Sequence, residues 1–265
     1  MSNTIVMLHG AFAGSWCFES WQPWFQDRGR QALVLDLPHH GARITEESPA
    51  ALATLGLQDY ADDVAEQIAA LPEKPVLIGH SMGGLIAQIL AARDLCRAAV
   101  LLTPAPTWGA LPSSHREIGV ALNLFNAGTF WSQALEPVYE IAREDSLKQF
   151  SEDEAWRIFE QCGPESGRAL FEMIFWMFDV RRASYVNAVN VDCPLLVVGA
   201  SEDLVISTGT VRKTAEKYQH VSTYLELEGF GHMLLLEPGW EQIAEACLEW
   251  IEEAEAAPRR DAAAD

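Results

Sequence analysis

The chain has 265 residues, of which 49% are hydrophobic and 21% are charged, and its formal net charge at pH 7 is −20. A chain of this length forms one large domain, or a domain with an insertion, and buries roughly three quarters of its unfolded surface without needing disulfide bonds. Because so acidic a surface repels nucleic acid, anionic lipid and polyanionic substrates, we expect none of these as partners.

The cysteines and the N-terminal sequence bear on the compartment. The five cysteines are scattered and include no C-x-x-C pair, so we expect free thiols rather than a zinc site or a redox pair. No basic or apolar signal-like stretch precedes Thr4, and no apolar run approaches the length of about 18 residues that a membrane span needs. We therefore expect a cytoplasmic protein that does not enter a membrane.

Short apolar runs alternate with helical patterns along the chain. Continuously apolar runs are typical of parallel strands covered on both faces. The predicted strands are Thr4–Leu8, Ala32–Leu37, Pro75–Gly79, Ala98–Thr103, Pro194–Gly199 and Thr223–Leu227. The helical patterns lie near residues 15–29, 58–71, 83–93, 208–218 and 239–254. This repetition predicts an α/β fold, with a mainly parallel sheet of about six strands flanked by helices.

One connection is much longer than the others, since about ninety residues separate the fourth predicted strand from the fifth. Residues 107–186 carry 13 of the 25 aromatic residues and include helical patterns at Ser151–Cys162 and Ser166–Phe178. We predict that residues 107–186 form a helical cap or lid, inserted into a discontinuous core of residues 1–106 and 187–256. Most of the rings would hold the cap together and a minority would line an apolar substrate pocket. Residues 257–265 lack periodicity and are predicted to be a disordered tail.

A glycine-rich turn joins the third predicted strand to the helix that follows it. It reads Gly79-His80-Ser81-Met82-Gly83, which fits the G-x-S-x-G pattern of a nucleophile elbow. A turn this sharp would hold Ser81 in a strained backbone conformation, so its neighbours must be small, as Gly79 and Gly83 are. The pattern predicts Ser81 as a catalytic nucleophile.

A serine hydroxyl needs a general base to become a good nucleophile, and the base needs an acid to orient it. His232 lies in a glycine-flanked loop directly after the last predicted strand. Asp203 follows the fifth predicted strand, with the adjacent Glu202 as the alternative acid. Both loops leave the carboxyl ends of strands, so we expect them at the same edge of the sheet as Ser81. Nucleophile, acid and base then follow in the chain order of a nucleophile-elbow hydrolase.

Two backbone amides would complete such a site as an oxyanion hole. One is the amide of Met82, which directly follows Ser81. The other would come from the loop after the first strand, which reads His9-Gly10-Ala11-Phe12-Ala13-Gly14. We expect the amide of Ala11 in this role, with Phe12 as the alternative, and His9 as a structural support for the loop. The chemistry requires no metal and no organic cofactor.

These segments together resemble the α/β-hydrolase superfamily, in the form that carries a helical cap after the strand at 98–103. The resemblance extends from residue 4 to about residue 254 and rests on His9-Gly10-Ala11, Asp36-Leu37-Pro38 with Gly41, residues 79–84, Gly199 with Asp203, and Gly231-His232. It implies the α/β-hydrolase fold, with Ser81, Asp203 and His232 as the catalytic triad.

The chain departs from its relatives in ways that narrow its chemistry. His39 stands where the superfamily often has a glycine, so we expect that turn to differ somewhat, with His39 and His40 stabilising the loop. A serine at position 81 argues against the haloalkane dehalogenases and epoxide hydrolases, which use an aspartate there. Met233 stands where plant-type hydroxynitrile lyases have a lysine, which disfavours that reaction.

The triad and the resemblance predict a serine hydrolase that cleaves a carboxylic ester, a lactone or a thioester of a small to medium apolar substrate. Hydrolysis of a carbon–carbon bond and cofactor-free perhydrolysis use the same triad and remain alternatives. A non-catalytic sensor with a hydrolase fold is an alternative of another class, although a sensor has no need for a complete triad. The sequence leaves the oligomeric state open.

Overall fold

The computed structural model describes residues 3–119 and 128–256, so the predicted tail at 257–265 lies outside the described residues. Within them, a six-stranded parallel sheet has the order β2-β1-β3-β4-β7-β8. Its strands are β1 Thr4–Leu8, β2 Gln31–Leu35, β3 Val76–His80, β4 Ala98–Leu102, β7 Leu195–Ala200 and β8 Ser222–Leu227. All six predicted strands are confirmed, with ends displaced by at most two residues.

The central strands are buried along their whole length, as their continuous apolar sequences predict. Every residue of β1, β3, β4 and β7 is buried. β1 pairs with β2 on one side and with β3 on the other, so the chain reverses its direction of winding there. The loops that leave β1 and β3 therefore diverge at a crevice beyond the strand ends, which is where ligands bind in open α/β sheets.

Helices cover both faces of the sheet. One apolar layer joins the sheet to helices Leu57–Ala69, Met82–Ala92 and Thr208–Lys217, and the other joins it to Trp21–Asp27 and Trp240–Ala256. The predictions at 58–71, 83–93, 208–218 and 239–254 are confirmed to within two residues. The predicted helix at 15–29 is wrong in its first half, where a 3-10 turn at Ser15–Phe18 precedes the α-helix. A further short helix, Ser48–Leu52, was not predicted.

The connection between β4 and β7, called the insertion below, contains helices Tyr139–Asp145, Glu152–Phe159 and Gly167–Ile174. The helix predicted at Ser151–Cys162 begins one residue later, because the Ser151 side chain caps it, and ends earlier. The helix predicted at Ser166–Phe178 ends at Ile174, and a 3-10 turn follows at Trp176–Phe178. A short antiparallel pair, β5 Ala134–Leu135 with β6 Glu165–Ser166, was not predicted. The division of the chain into core and cap stays a prediction.

No helix within residues 3–119 and 128–256 is long and apolar enough to cross a membrane.

Candidate active site

Ser81 lies at the apex of the turn between β3 and helix Met82–Ala92. Its backbone has φ 53° and ψ −117°, a conformation that costs a residue with a side chain on the order of 1–3 kcal/mol. The surrounding backbone holds it there, because the Ser81 amide donates to Leu102 O at 3.0 Å and Ser81 O accepts from Gly84 at 2.9 Å. The strained turn that the sequence predicts is thus present.

The flanking glycines allow this turn because neighbouring backbone atoms occupy the space that a side chain at either glycine would need. A Cβ at Gly83 would lie 2.3 Å from Leu8 O, and one at Gly79 would lie 2.3 Å from Gly83 O. On the opposite side, a Cβ at Gly10 would lie 3.0 Å from the Cβ of Ser81. The loop after β1 therefore packs directly against the serine.

His232 and Asp203 are joined by a buried hydrogen bond, in which His232 Nδ1 donates to Asp203 Oδ2 at 2.8 Å. The other carboxylate oxygen accepts from the backbone amides of Val205 at 2.7 Å and Ile206 at 2.9 Å, which fixes its orientation. Because Nδ1 carries the proton, Nε2 of a neutral His232 is left with its lone pair. Glu202, the alternative acid, is exposed, and its carboxylate makes no such contact with any residue that the structure describes.

The His80 side chain links the serine turn to the His232 loop. His80 Nε2 donates to His232 O at 2.9 Å, and the two imidazole rings lie 4.9 Å apart. Burial, with the neighbouring His232 as the next cause, lowers the pKa of His80 to about 3, so this ring is neutral. No hydrogen bond joins Ser81 Oγ to His232 among the residues that the structure describes. Catalytic hydrogen bonds are often long in unliganded enzymes and shorten when substrate binds.

A buried glutamate that the sequence analysis missed supports the His232 loop. Both carboxylate oxygens of Glu237 accept from the Gly231 amide at 3.0 Å, one residue before His232. Burial raises the pKa of Glu237 above its usual range. No local sequence pattern marks this residue, because its role depends on the path of the loop.

The loop after β1 is held from both sides by histidine and aspartate. His9 Nδ1 donates to Gly10 O at 2.8 Å and His9 Nε2 accepts from the Leu37 amide at 3.0 Å, which confirms the structural role expected for His9. Burial and the neighbouring His40 lower the pKa of His9 to about 4. Asp36 accepts from the Ser15 amide at 2.5 Å.

The two oxyanion candidates on this loop have different surroundings. Phe12 has φ 61°, and its amide donates to the carboxylate of Glu165 at 3.2 Å, so this amide already has an acceptor. The amide of Ala11 precedes it in the chain, and Met82 opens the helix after the serine.

Two residues with positive φ, His39 and Gly41, lie in the turn after Leu37 and Pro38. His39 itself adopts the left-handed conformation that glycine favours, with φ 63°. Its ring makes a 3.1 Å hydrogen bond with Ser48 Oγ, which offsets the cost of that conformation. Gly41 also has positive φ, and a Cβ there would overlap the Asp36 carboxylate.

Aromatic side chains of the insertion form a cavity of about 360 Å³. It is lined by Phe130, Trp131, Phe171, Phe175 and Phe178, and by no residue of the predicted triad. The two ring planes of Phe171 and Phe175 are stacked, with centroids 5.8 Å apart. Phe130, Trp131, Phe171 and Phe175 contact one another at centroid distances of 5.6–6.3 Å, whereas Phe178 is largely exposed. How the aromatic residues of this segment divide between packing and a substrate pocket stays a prediction.

A search of the described residues finds no group of three or more His, Cys, Asp or Glu side chains that could hold a metal ion.

The fold and the strand–turn–helix at Ser81 are those of a large enzyme family. The chain matches the alpha/beta hydrolase family over residues 5–246 and belongs to it. Its sequence is 34% identical to Methylesterase 3 of Arabidopsis thaliana over 83 residues, which are 31% of this chain and 30% of that protein. It is 30% identical over 125 residues to the probable esterase PIR7A of Oryza sativa subsp. indica, covering 45% of this chain and 44% of the relative. The matched region thus spans less than half the length of these curated relatives.

Solved structures resemble the chain over nearly its whole length. The methylesterase MES16 from Arabidopsis superposes with a TM-score of 0.72 at 16% identity, covering 94% of this chain and 99% of that one. Tomato methylketone synthase I, in complex with 2-tridecanone, superposes with a TM-score of 0.74 at 18% identity, covering 96% and 99%. At such identities the likeness establishes the fold.

Proposed function

We propose that the protein is a serine hydrolase that cleaves a carboxylic ester, lactone or thioester of a small to medium apolar substrate. Ser81 is the nucleophile, His232 the general base, and Asp203 the group that orients His232. The backbone amides of Met82 and Ala11 form the oxyanion hole. The observation that carries the proposal is the strained Ser81 turn at the same sheet edge as a buried His232–Asp203 pair.

The reaction follows from these positions. Ser81 Oγ attacks the carbonyl carbon while His232 Nε2 takes its proton, and Asp203 stabilises the resulting imidazolium. Negative charge then develops on the carbonyl oxygen, next to the N-terminal amides of helix Met82–Ala92. His232 returns the proton to the leaving alcohol, and an acyl-enzyme remains. Water, deprotonated by His232, then attacks the acyl carbon. The bond to Ser81 Oγ breaks, His232 returns the proton to that oxygen, and the carboxylic acid leaves.

Two further observations support parts of the proposal. The Phe12 amide is engaged by Glu165, which favours Ala11 as the donor from this loop. The names of the relatives, methylesterase and probable esterase, favour an ester over the other acyl compounds.

Replacing the nucleophile tests the mechanism directly. We expect Ser81→Ala to lower the kcat for p-nitrophenyl butyrate by about 10⁴-fold or more, because the remaining donors cannot replace the covalent step. Its circular dichroism spectrum should match the wild type, since Ser81 Oγ has no hydrogen bond within the described residues. Undiminished turnover by the folded variant would overturn the proposal.

A fluorophosphonate probe separates an enzyme from a non-catalytic sensor. We expect the probe to modify wild-type protein at Ser81, as mapped by peptide mass spectrometry, and to leave Ser81→Ala unmodified. A wild type without labelling would favour the sensor. A panel of methyl, ethyl and butyl esters, lactones, thioesters and β-diketones would then identify the bond that is cleaved.

A further inference from the structure

A second buried charge cluster lies beside the loop that carries the oxyanion candidates. Glu165, in β6 of the insertion, is fully buried. Its Oε1 accepts from the Tyr60 hydroxyl at 2.8 Å and from the Ser166 amide at 2.6 Å. Its Oε2 accepts from His40 Nε2 at 3.1 Å and from the Phe12 amide at 3.2 Å. Four donors surround the carboxylate, so its ionised form is fully hydrogen-bonded.

The partner His40 carries the compensating positive charge. Its Nδ1 donates to Pro38 O at 2.9 Å, and its Nε2 donates to Glu165, so both ring nitrogens act as donors. Burial opposes this charge, but the adjacent Glu165 carboxylate outweighs burial and raises the pKa of His40. Burial likewise opposes ionisation of Glu165, while the His40 charge and the donated hydrogen bonds bring the pKa of Glu165 below its usual range.

Within the described residues, the Glu165 carboxylate contacts the oxyanion loop through one backbone amide, that of Phe12. Phe12 is in the left-handed region at φ 61°, which a bulky aromatic residue seldom adopts. Its amide is the donor that Glu165 accepts, and the peptide that carries this amide is the one after Ala11. The Gly163 amide holds the other side of Phe12 by donating to Phe12 O at 3.0 Å, so Glu165 is the acceptor that holds the peptide between Ala11 and Phe12. Removing this acceptor would allow that peptide to rotate and would turn the Ala11 backbone with it.

We infer that Glu165, held by His40, is a positioning residue that fixes the Ala11 amide for transition-state binding. The inference rests on the proposed function, since it presumes an oxyanion at Ser81. Glu165 acts through the backbone of the loop and does not touch substrate. Its effect should therefore appear in the step that forms the oxyanion rather than in ground-state binding.

Glu172 supplies a matched control in the same insertion. It is also buried, and its Oε2 accepts from a backbone amide of the core, that of Leu57, at 2.8 Å. It therefore attaches the insertion to the core as Glu165 does, but at the start of helix Leu57–Ala69 rather than at the oxyanion loop. Any effect of a loosened insertion should appear in both glutamate variants.

The test compares Glu165→Gln with Glu172→Gln. We expect Glu165→Gln to lower the kcat for p-nitrophenyl butyrate by about 10- to 100-fold with KM within about two-fold, because a displaced donor costs part of what a lost donor costs. The rate constant for fluorophosphonate labelling of Ser81 should fall in parallel, since phosphonylation builds charge on the same oxygen position. Glu172→Gln should lower Tm while leaving kcat and the labelling rate within about three-fold of the wild type.

The outcomes separate this inference from the proposed function. If Glu165→Gln labels at the wild-type rate, or if Glu172→Gln loses as much kcat as Glu165→Gln, the inference is overturned and the proposed function stands. If the wild type itself does not label at Ser81, both are overturned. Should Glu165→Gln fail to fold, Glu165→Asp keeps the charge opposite His40 but withdraws the carboxylate by one methylene. A folded Glu165→Asp variant with full labelling would equally overturn the inference.

Discussion

At the scale of the residue, Ser81 combines chemical use with conformational cost. Its φ of 53° places it in a region that favours glycine, yet glycine would supply no hydroxyl. The backbone bonds to Leu102 and Gly84 hold the conformation. Ser81 therefore adopts a conformation that its side chain disfavours, which fits the nucleophile role proposed for it, because such strain is common at functional sites.

This strain predicts an ordering of two inactive variants. We expect Ser81→Gly to unfold at a Tm about 2–4 °C above that of Ser81→Ala, because glycine adopts this φ without strain and the difference is on the order of 1 kcal/mol. Both variants lack the hydroxyl, so alanine is the control for its loss. Equal Tm values in differential scanning calorimetry would show that the turn stores no strain at this position.

Some side chains around the candidate site can be predicted from the sequence, and others cannot. The pattern around Ser81 and the loops that contain Asp203 and His232 are local, so a single chain suffices to pick them out. Of the two adjacent acids, the burial of Asp203 and its hydrogen bond to His232 favour Asp203 over the exposed Glu202 in the proposed role. Glu165 and Glu237 carry no local signal, because their partners are set by how distant loops approach.

At the scale of the element, the contact between helix Met82–Ala92 and β1 depends on the absence of side chains. A Cβ at Gly83 would lie 2.3 Å from Leu8 O and 2.5 Å from His9 O, both of which are backbone atoms that cannot rotate away. The helix approaches the strand so closely that its first amides lie over the strand ends. A larger residue would push the helix, and with it the Met82 amide, away from the site.

We therefore expect Gly83→Ala to destabilise the protein by about 2–3 kcal/mol or more and to lower kcat, because overpacking against backbone forces the helix to shift. Urea unfolding and ester turnover are the measurements. Gly209→Ala is the matched control, since Gly209 is also the second residue of a helix and its Cβ would meet only side-chain atoms, the nearest those of Ser113 at 3.1 Å. Wild-type stability in Gly83→Ala would contradict the close contact.

Element boundaries show where tertiary contacts override local preference. The predicted helix at 15–29 starts as a 3-10 turn because the Ser15 amide is bound by Asp36, and Gly14 approaches the backbone of Gly41 so closely that a Cβ would lie 2.8 Å from its Cα. The α-helix begins only at Trp21, whose indole donates to Leu235 O at 2.9 Å. Neither partner is near in sequence, so periodicity alone could not place the break.

At the scale of the whole molecule, two buried neutral histidines tie stability to pH. Burial lowers the pKa of His9 to about 4 and that of His80 to about 3, whereas an unfolded histidine has a pKa of about 6.5. As pH falls from about 6.5 toward 4, the unfolded state therefore binds protons that the folded state does not, and stability falls. His40, whose pKa is raised, binds a proton more readily in the folded state, so it acts in the opposite direction near pH 6.5.

As the pH falls through this window, we expect each of these two histidines to lower the free energy of unfolding by about 1.4 kcal/mol per pH unit. Burial raises the pKa values of Glu172 and Glu237, so these two carboxyl groups act in the opposite direction. The contribution of one histidine is therefore measured better by replacing it than from the pH dependence of the wild type alone. We would measure the free energy of unfolding by urea at pH 7, 6 and 5. Its dependence on pH should be shallower in His80→Gln than in the wild type, by the equivalent of about one proton. An unchanged slope would mean that His80 is not neutral in the folded protein.

From the sequence alone one can predict the parallel sheet, the order of its strands along the chain, and the candidate nucleophile, base and acid. These depend on short patterns: continuous apolar runs that must be buried on both faces, glycines where a turn allows no side chain, and polar residues after strand ends. The family match over residues 5–246 accords with that prediction.

The contacts between groups that are distant in the chain could be learned only from the tertiary structure. The winding reversal beside β1 brings the loop after β1 to Ser81, and the insertion brings Glu165 onto the Phe12 amide across 153 positions of the chain. A buried polar group must find a hydrogen-bond partner, and that partner is whichever backbone or side chain the packing brings near. Because the partner can be distant in the chain, no local sequence pattern predicts the contact. The sequence thus predicts the candidate reacting groups, and the tertiary structure shows which side chains and backbone groups hold them in place.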